Sequence, residues 1–178
     1  MRNSFLAAAA LGATVLSASA FSQVVHTPVD ATPYNVSIKG MIFWPIDDNL
    51  RNVDKLFGGG GIEYLFPVQL IRGSETYMEF DALLHTTASS NVSVFPLTIN
   101  QRFYGGPSSL DRSGRTFLFI GGGFSWIDPK GQAKLTAHGG VGMDIGPRIY
   151  TEAALFISDG DNNGLRNTGF SLALGYRF

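Results

Sequence analysis

The chain has 178 residues, of which 44% are hydrophobic and 22 are glycine, with no cysteine and a formal net charge of −1. This length suits about one domain, and a near-neutral charge without a basic stripe excludes nucleic acid as a partner. No segment beyond residue 20 approaches 18 consecutive apolar residues, which excludes a helical membrane protein. The glycine, aromatic and turn residues instead predict an all-β fold.

Residues 1–20 are predicted to be a secretory signal peptide. Arg2 gives a positive start, residues 6–16 form an apolar run too short to span a bilayer as a helix, and residues 18–20 are small enough for a cleavage site. Residues 21–34 are predicted to be a loose leader into the fold. Because the compartment is oxidising, a small fold without cysteine needs another source of stability, and closing a sheet into a barrel removes its exposed edges.

Residues 35–178 contain eight segments in which apolar and polar residues alternate. Each segment has about 9–12 residues, which matches tilted transmembrane strands and exceeds the length of an average globular strand. Connections rich in Gly, Pro, Asn, Asp and Ser separate them. The predicted strands are 35–44, 56–66, 75–85, 92–103, 115–126, 133–145, 148–157 and 167–178.

The charged residues of these strands share the polar face. In a closed eight-stranded barrel that face lines an interior just wide enough for side chains to fill, where a buried charge needs an opposite partner. Five basic and five acidic residues balance each other, so we predict an ion-paired interior rather than a solvated sandwich face. The predicted interior network is Lys39, Glu63, Glu79, Asp81, Arg102, Lys134, Asp144, Arg148, Glu152 and Arg177.

The fifth predicted strand cannot be oriented from its sequence, because RTFLFIGGGFSW is apolar on both faces. Phe117 or Phe119 facing inward would indicate a partly apolar lumen. Glycines on the polar face of other strands, including Gly142 and Gly175, are expected to leave room for the long Lys, Arg and Glu side chains opposite them.

Aromatic residues fall near the ends of the predicted strands. If the strands run up and down in chain order, one end of the sheet carries Trp44 and Trp126, and the other carries Tyr64, Phe66 and Phe103. Two aromatic girdles that flank an apolar band are typical of outer-membrane barrels.

The signal peptide, the eight long strands and the final FSLALGYRF resemble the small outer-membrane barrels of the OmpA, OmpX and OmpW type. The segments PLTINQRFY and FLFIGGGFSW are also similar to paired strands of that group. The resemblance implies an eight-stranded antiparallel up-and-down transmembrane β-barrel over residues 35–178, surrounded by lipid in a bacterial outer membrane. It further implies that Tyr176 and Phe178 form a signal for the barrel-assembly machinery.

Two features depart from that family. The connection at residues 105–114 is long for the periplasmic side, and the outer loops are short. Adhesion or receptor roles of larger relatives are therefore not expected, and the chain is expected to be a monomer.

Sites for chemistry are sparse. His138 lies on the polar face of the sixth strand and is expected to be an interior hydrogen-bonding partner, while His85 is expected at a loop edge. Asp159, Asp161 and Asn163 match the opening of a calcium loop, but the twelfth position is Phe170 instead of glutamate. A hairpin loop accounts for this segment, with weak calcium binding left open; we expect no metal site or cofactor otherwise.

These patterns predict a small outer-membrane barrel with a plugged, charge-paired interior and a structural or narrow passive-channel role, and not an enzyme. Three alternatives stay open. They are an OmpW-like conduit for small hydrophobic molecules, a lipid-modifying barrel enzyme that uses His85 or His138, and a soluble secreted lipocalin-like barrel.

Overall fold

A computed structural model describes residues 34–86, 92–105, 114–128, 131–159 and 164–178. Eight strands form a closed antiparallel barrel in which each strand pairs with the next and β8 pairs with β1. The strands are β1 Val36–Pro45, β2 Phe57–Leu65, β3 Glu75–His85, β4 Ser93–Gly105, β5 Thr116–Asp128, β6 Gln132–Asp144, β7 Ile149–Ser158 and β8 Gly169–Arg177.

The predicted all-β, up-and-down barrel is therefore confirmed, and every predicted strand end lies within two residues of an observed one. The signal peptide and the leader up to residue 33 lie outside the described residues. Strict alternation explains the agreement: along β1, the odd positions from Ser37 to Pro45 are buried and the even positions from Val36 to Trp44 are exposed. Successive side chains of a strand point to opposite faces, so one face fills the barrel and the other covers it.

A short helix was not foreseen. Helix α1, Asp48–Val53, lies in the connection between β1 and β2, where Asp47 caps it by accepting a hydrogen bond from the backbone N–H of Leu50 at 3.1 Å. Leu50 is fully buried. Within the described ranges, no helix has the length and apolar character to cross a membrane. We call this end of the barrel the helix end and the opposite one the Phe178 end.

The orientation of β5, left open by its sequence, is settled by burial. Phe117, Phe119 and Ile127 are buried inside the barrel, whereas Phe124 and Trp126 are half exposed on its outer face. The interior is therefore more aromatic than the charges alone indicated.

Glycine lets the largest interior side chains fit. A Cβ atom at Gly175 would overlap the ring of Tyr150, and one at Gly142 would overlap the ring of Phe117. The rings of Tyr150 and Phe117 are both buried. Interior glycines were predicted to leave room for long charged side chains, whereas at these two positions they leave room for aromatic rings.

We expect Gly175→Val to destabilise the barrel by about 1–3 kcal/mol, because the added methyl groups would push Tyr150 out of its position in a filled interior. Gly40→Val is the matched control, since a Cβ at Gly40, on the outer face of β1, would meet no described atom within 4 Å. Urea titrations of both variants folded in lipid vesicles measure the two free energies of unfolding. Equal losses would contradict the packing argument.

Candidate functional site

The interior is the candidate site, and a cluster of apolar side chains packs at its helix end beside the buried hydroxyls of Ser125 and Thr136. Phe43 contacts Phe57 and Phe156 edge to face, with ring centroids 6.2 Å and 5.9 Å apart. Leu50 of α1 is buried in the same hydrophobic cluster. The helix-end layer also contains Leu83, Val94, Ile127 and Leu165.

A charged layer lies at the middle of the barrel, around one lysine. The Nζ atom of Lys39 lies 2.5 Å from an oxygen of Glu152 and 2.6 Å from an oxygen of Glu79. It is 3.8 Å from Glu63 and 3.9 Å from Asp81. All five side chains are at least 97% buried. This central layer thus gathers four acidic groups about one ammonium.

Arg102 links the central layer to the Phe178 end. Its Nη2 donates to Glu63 at 2.9 Å, and its Nη1 lies 3.7 Å from Glu75. The guanidinium also stacks over the rings of Tyr77 and Phe117, 4.2 Å and 4.8 Å from their centroids. A planar cation is thus held between carboxylates and aromatic faces at this level of the lumen.

Asp144 joins two arginines at the Phe178 end. One of its oxygens accepts from Arg177 at 2.7 Å, and the other accepts from Arg115 at 3.2 Å. Arg115 also lies over the ring of Tyr104, with its guanidinium carbon 3.9 Å from the centroid. Asp144 is completely buried, so this carboxylate holds both cations without competition from water.

Most of the ten predicted interior charges lie in the interior. Lys134 is half-buried on the inward face of β6, near the helix end. Eight are buried: Lys39, Glu63, Glu79, Asp81, Arg102, Asp144, Glu152 and Arg177.

The prediction is wrong for Arg148. This residue is exposed in the turn before β7, and it donates to the hydroxyls of Tyr34 and Tyr176 at 3.3 Å and 3.0 Å. The reason is its position at the barrel rim, where the strand pleat no longer fixes the side-chain direction and two phenolic acceptors lie outside. Arg148 is thus part of the outer rim and not of the interior network.

Sequence reasoning missed two interior charges, Glu75 and Arg115. Glu75 is 4% exposed, and the Arg115 side chain is 12% exposed. Glu75 is the first residue of β3 and has the inward parity of Glu79, so the alternation of the predicted strand 75–85 already assigns it inward. Arg115 directly precedes β5 and has the parity of Phe117, but the sequence could not orient that strand. With these two residues added and Arg148 removed, the interior network has six acidic and five basic residues, whereas five of each were predicted.

The predicted aromatic girdles lie at the two ends of the barrel. At the helix end, Trp44 pairs in register with Phe170, and Trp126 pairs with Phe95. Both tryptophans are exposed. At the Phe178 end, Tyr64 is exposed, Phe66 and Phe103 are half-buried, and the rings of Tyr176 and Phe178 are 5.0 Å apart.

The two histidines occupy different environments. His85, at the end of β3, has its Nδ1 3.3 Å from the carbonyl of Val92, as expected for a loop edge. His138 is buried and stacks on Phe156, with centroids 4.0 Å apart, and neither of its ring nitrogens has a hydrogen-bond partner among the described residues. The expected interior hydrogen bond of His138 is therefore not found there.

Two groups could hold a metal ion. The predicted calcium loop has Asp159 exposed at the end of β7, while Asp161 and Asn163 lie outside the described residues. In the central layer, one oxygen from each of Glu63, Glu79 and Glu152 lies within 4.8 Å of the others.

Comparison with known proteins identifies the fold. No protein-family model and no curated protein matches the chain. The outer membrane protein Ail of Yersinia pestis, solved in a phospholipid nanodisc, is 14% identical over 82% of this chain and 99% of its own, with a TM-score of 0.52. The N-terminal β-barrel domain of Pseudomonas aeruginosa OprF is 12% identical over 82% of this chain and 98% of its own, with a TM-score of 0.48. The closed eight-stranded barrel and its match to Ail show that the chain has the fold of the small outer-membrane barrels.

We expect Asp144→Asn to destabilise the barrel by about 3–5 kcal/mol, because it leaves Arg115 and Arg177 buried without their shared counter-charge. Asp48→Asn is the control: it breaks the exposed Asp48–Arg51 pair on α1 and should change little. Urea unfolding in vesicles compares the two. A loss no larger for Asp144→Asn than for Asp48→Asn would refute the role of this carboxylate.

Proposed function

We propose that the chain is a barrel of the bacterial outer membrane with a structural role, or at most a narrow passive conduit for ions. The observation that carries this proposal is the division between the two faces of the sheet. Large apolar side chains cover the outer face, among them Ile62, Leu135, Val141, Leu172 and Leu174, each more than half exposed. A band of this kind suits contact with lipid chains, and the aromatic residues at both ends suit the two membrane interfaces.

The filled interior supports the structural role. The helix end contains packed apolar side chains, and the centre and the Phe178 end contain ion pairs and stacked rings. Near the Phe178 end, Arg102, Arg177 and Glu63 border a cavity of only about 10 Å³, which is room for about one water molecule. Solutes larger than ions would have to displace buried charge pairs to pass.

A conduit for small hydrophobic molecules is the second candidate. Phe43, Phe57 and Phe156 point inward at the helix end, and Phe119 points inward where it pairs in register with Arg102, so part of the lumen is apolar. Leu50 occupies the helix-end layer, and an apolar solute would have to displace it. The proposal therefore ranks this function second.

A catalytic role is not part of the proposal. A lipid-modifying enzyme would need a nucleophile beside a histidine, and in the described part of the chain the ring nitrogens of His138 have no hydrogen-bond partner. We expect lipid A to be unchanged in cells that carry His85→Ala and His138→Ala. Altered lipid A would favour the enzyme alternative.

We expect the chain to fractionate with the outer membrane and to migrate on gels at different positions before and after boiling, because a closed barrel keeps its compact shape until heated. We also expect no solute flux, and at most small ion conductance, in planar bilayers. Recovery in the soluble periplasm without detergent would overturn the proposal in favour of a lipocalin-like barrel. Conductance that an apolar ligand blocks would favour the hydrophobic conduit.

The last strand is also proposed to carry the assembly signal. The backbone N–H of Phe178 donates to the carbonyl of Val36 at 2.8 Å, so the end of β8 is fixed to β1 while the Phe178 ring stays more than half exposed. An exposed terminal aromatic residue beside the β1–β8 pairing that closes the barrel is accessible to the barrel-assembly machinery.

We expect Phe178→Ala to lower the amount of folded barrel in cells several-fold, with little change in stability once folded, because its ring is exposed. Phe170→Ala is the matched control, since Phe170 is equally exposed on the same strand but lies at its other end. Heat-sensitive gel migration of membrane fractions measures the amount of folded barrel in cells. Urea unfolding of refolded protein measures its stability. An equal loss of folded barrel in both variants would contradict a specific signal.

A further inference from the structure

We propose that the central layer is a binding site for one divalent cation, ligated by Glu63, Glu79, Glu152 and His138, which Lys39 occupies with its ammonium when the cation is absent. This site goes beyond the structural role and does not depend on any conductance. Its ligands come from four strands, β2, β3, β6 and β7, and therefore converge only in the closed barrel.

The first observation is the geometry of the carboxylates. One oxygen from each of Glu63, Glu79 and Glu152 lies within 4.8 Å of the other two. Three oxygens at this spacing need only small side-chain movements to reach a common ion. The position between them attracts a cation, because Lys39 already places its Nζ 2.5 Å from Glu152 and 2.6 Å from Glu79.

The second observation is independent of the acidic cluster. His138 is 2% exposed, and both of its ring nitrogens lack a hydrogen-bond partner among the described residues. Its Nδ1 is directed at the cluster, 3.8 Å from the Oε1 of Glu79. A buried polar group without a partner costs free energy, and a metal ion bound at this nitrogen would remove that cost.

The third observation is a shortage of positive charge. Four acidic groups, Glu63, Glu79, Asp81 and Glu152, face only Lys39 and Arg102. Among the described residues, five acceptor oxygens of the carboxylates and amide of this layer have no hydrogen-bond partner. They are Oε1 of Glu63, both oxygens of Asp81, Oε2 of Glu152 and Oδ1 of Asn100. A divalent cation supplies the charge that the layer lacks.

Lys39 does not have to leave the barrel for the cation to bind. Asp81 lies 3.9 Å from the Lys39 Nζ, and neither of its oxygens has a hydrogen-bond partner in the described residues. Gly61 adds no side chain here, where a Cβ would overlap Asp81. The flexible lysine can therefore turn its ammonium to Asp81 and give up the position among the three glutamates.

The donor set indicates the kind of ion. Three carboxylates and one imidazole suit Mn²⁺ or Zn²⁺ better than they suit Ca²⁺, because Ca²⁺ prefers ligands that are all oxygen atoms. Mn²⁺ is the better probe, because its electron paramagnetic resonance signal changes when a protein binds it. The full chain is folded in detergent micelles with and without MnCl₂.

We expect the native chain to bind one Mn²⁺ and to require more urea for unfolding when Mn²⁺ is present. His138→Gln and Glu152→Gln should each weaken binding about tenfold or more, because each removes one ligand. His85→Gln is the matched control for histidine and should leave binding unchanged. Absence of bound Mn²⁺ in the native chain, or equal affinity in His138→Gln and His85→Gln, would overturn the proposal.

Two lysine variants test whether the Lys39 ammonium and the cation compete for the position among the three glutamates. Lys39→Met should bind Mn²⁺ more tightly by about tenfold or more, because it removes a like charge near the ion, and Mn²⁺ should increase its yield of folded barrel. Lys134→Met, which changes a half-buried lysine near the helix end, should do neither. If Lys39→Met fails to fold even with Mn²⁺, the site is refuted, since the ion cannot replace the ammonium.

The variant Asp159→Asn tests whether Mn²⁺ binds at the proposed central site or at the loop between β7 and β8. We expect this variant to bind Mn²⁺ as the native chain does. If Asp159→Asn abolishes Mn²⁺ binding while Glu152→Gln retains it, the ion binds at the loop and the proposal is wrong. Neither result bears on the structural role, which depends on fractionation and gel migration instead.

Discussion

The closure of β8 onto β1 is the constraint on which the rest of the structure depends. Once the sheet has no edge, each strand has one face that meets only other side chains and one that covers the barrel. Alternation along the strand then decides the surroundings of every residue. Lys39 and Ile38 are neighbours in sequence, yet the first is inside and almost fully buried while the second is nearly half exposed.

Closure also determines how the interior charges are satisfied. Lys39 comes from β1, whereas Glu79 and Glu152 come from β3 and β7, so its closest ion pairs join strands that are not neighbours. Asp144, at the end of β6, likewise pairs with Arg177 of β8, which is not its neighbouring strand. Such pairs hold the walls of the barrel together across the lumen, because breaking one leaves a buried charge without its partner.

The sequence alone predicted the number of strands, their ends and which face carries the charges, because period-two alternation is a local property. It failed where alternation ends. Arg148 was assigned to the interior from a strand that begins only at Ile149, and Glu75 was missed at the start of β3. Arg115 was missed because the fifth predicted strand is apolar on both faces and could not be oriented. The contact between Arg102 and Tyr77 and the cluster around Lys39 depend on barrel register, which no single strand encodes. Helix α1 was missed because its six residues lie within a connection.

The order of the layers bears on what could move through the barrel. Leu50 and its phenylalanine neighbours close the helix end by apolar packing, and Arg102 with its rings and carboxylates closes the opposite half by charge pairing. An ion crossing the barrel would be opposed by the apolar layer, since it would lose its hydration there. An apolar molecule would be opposed by the charged layers, since it would separate buried ion pairs. The two closures would therefore oppose opposite classes of solute, which supports the structural role that we propose.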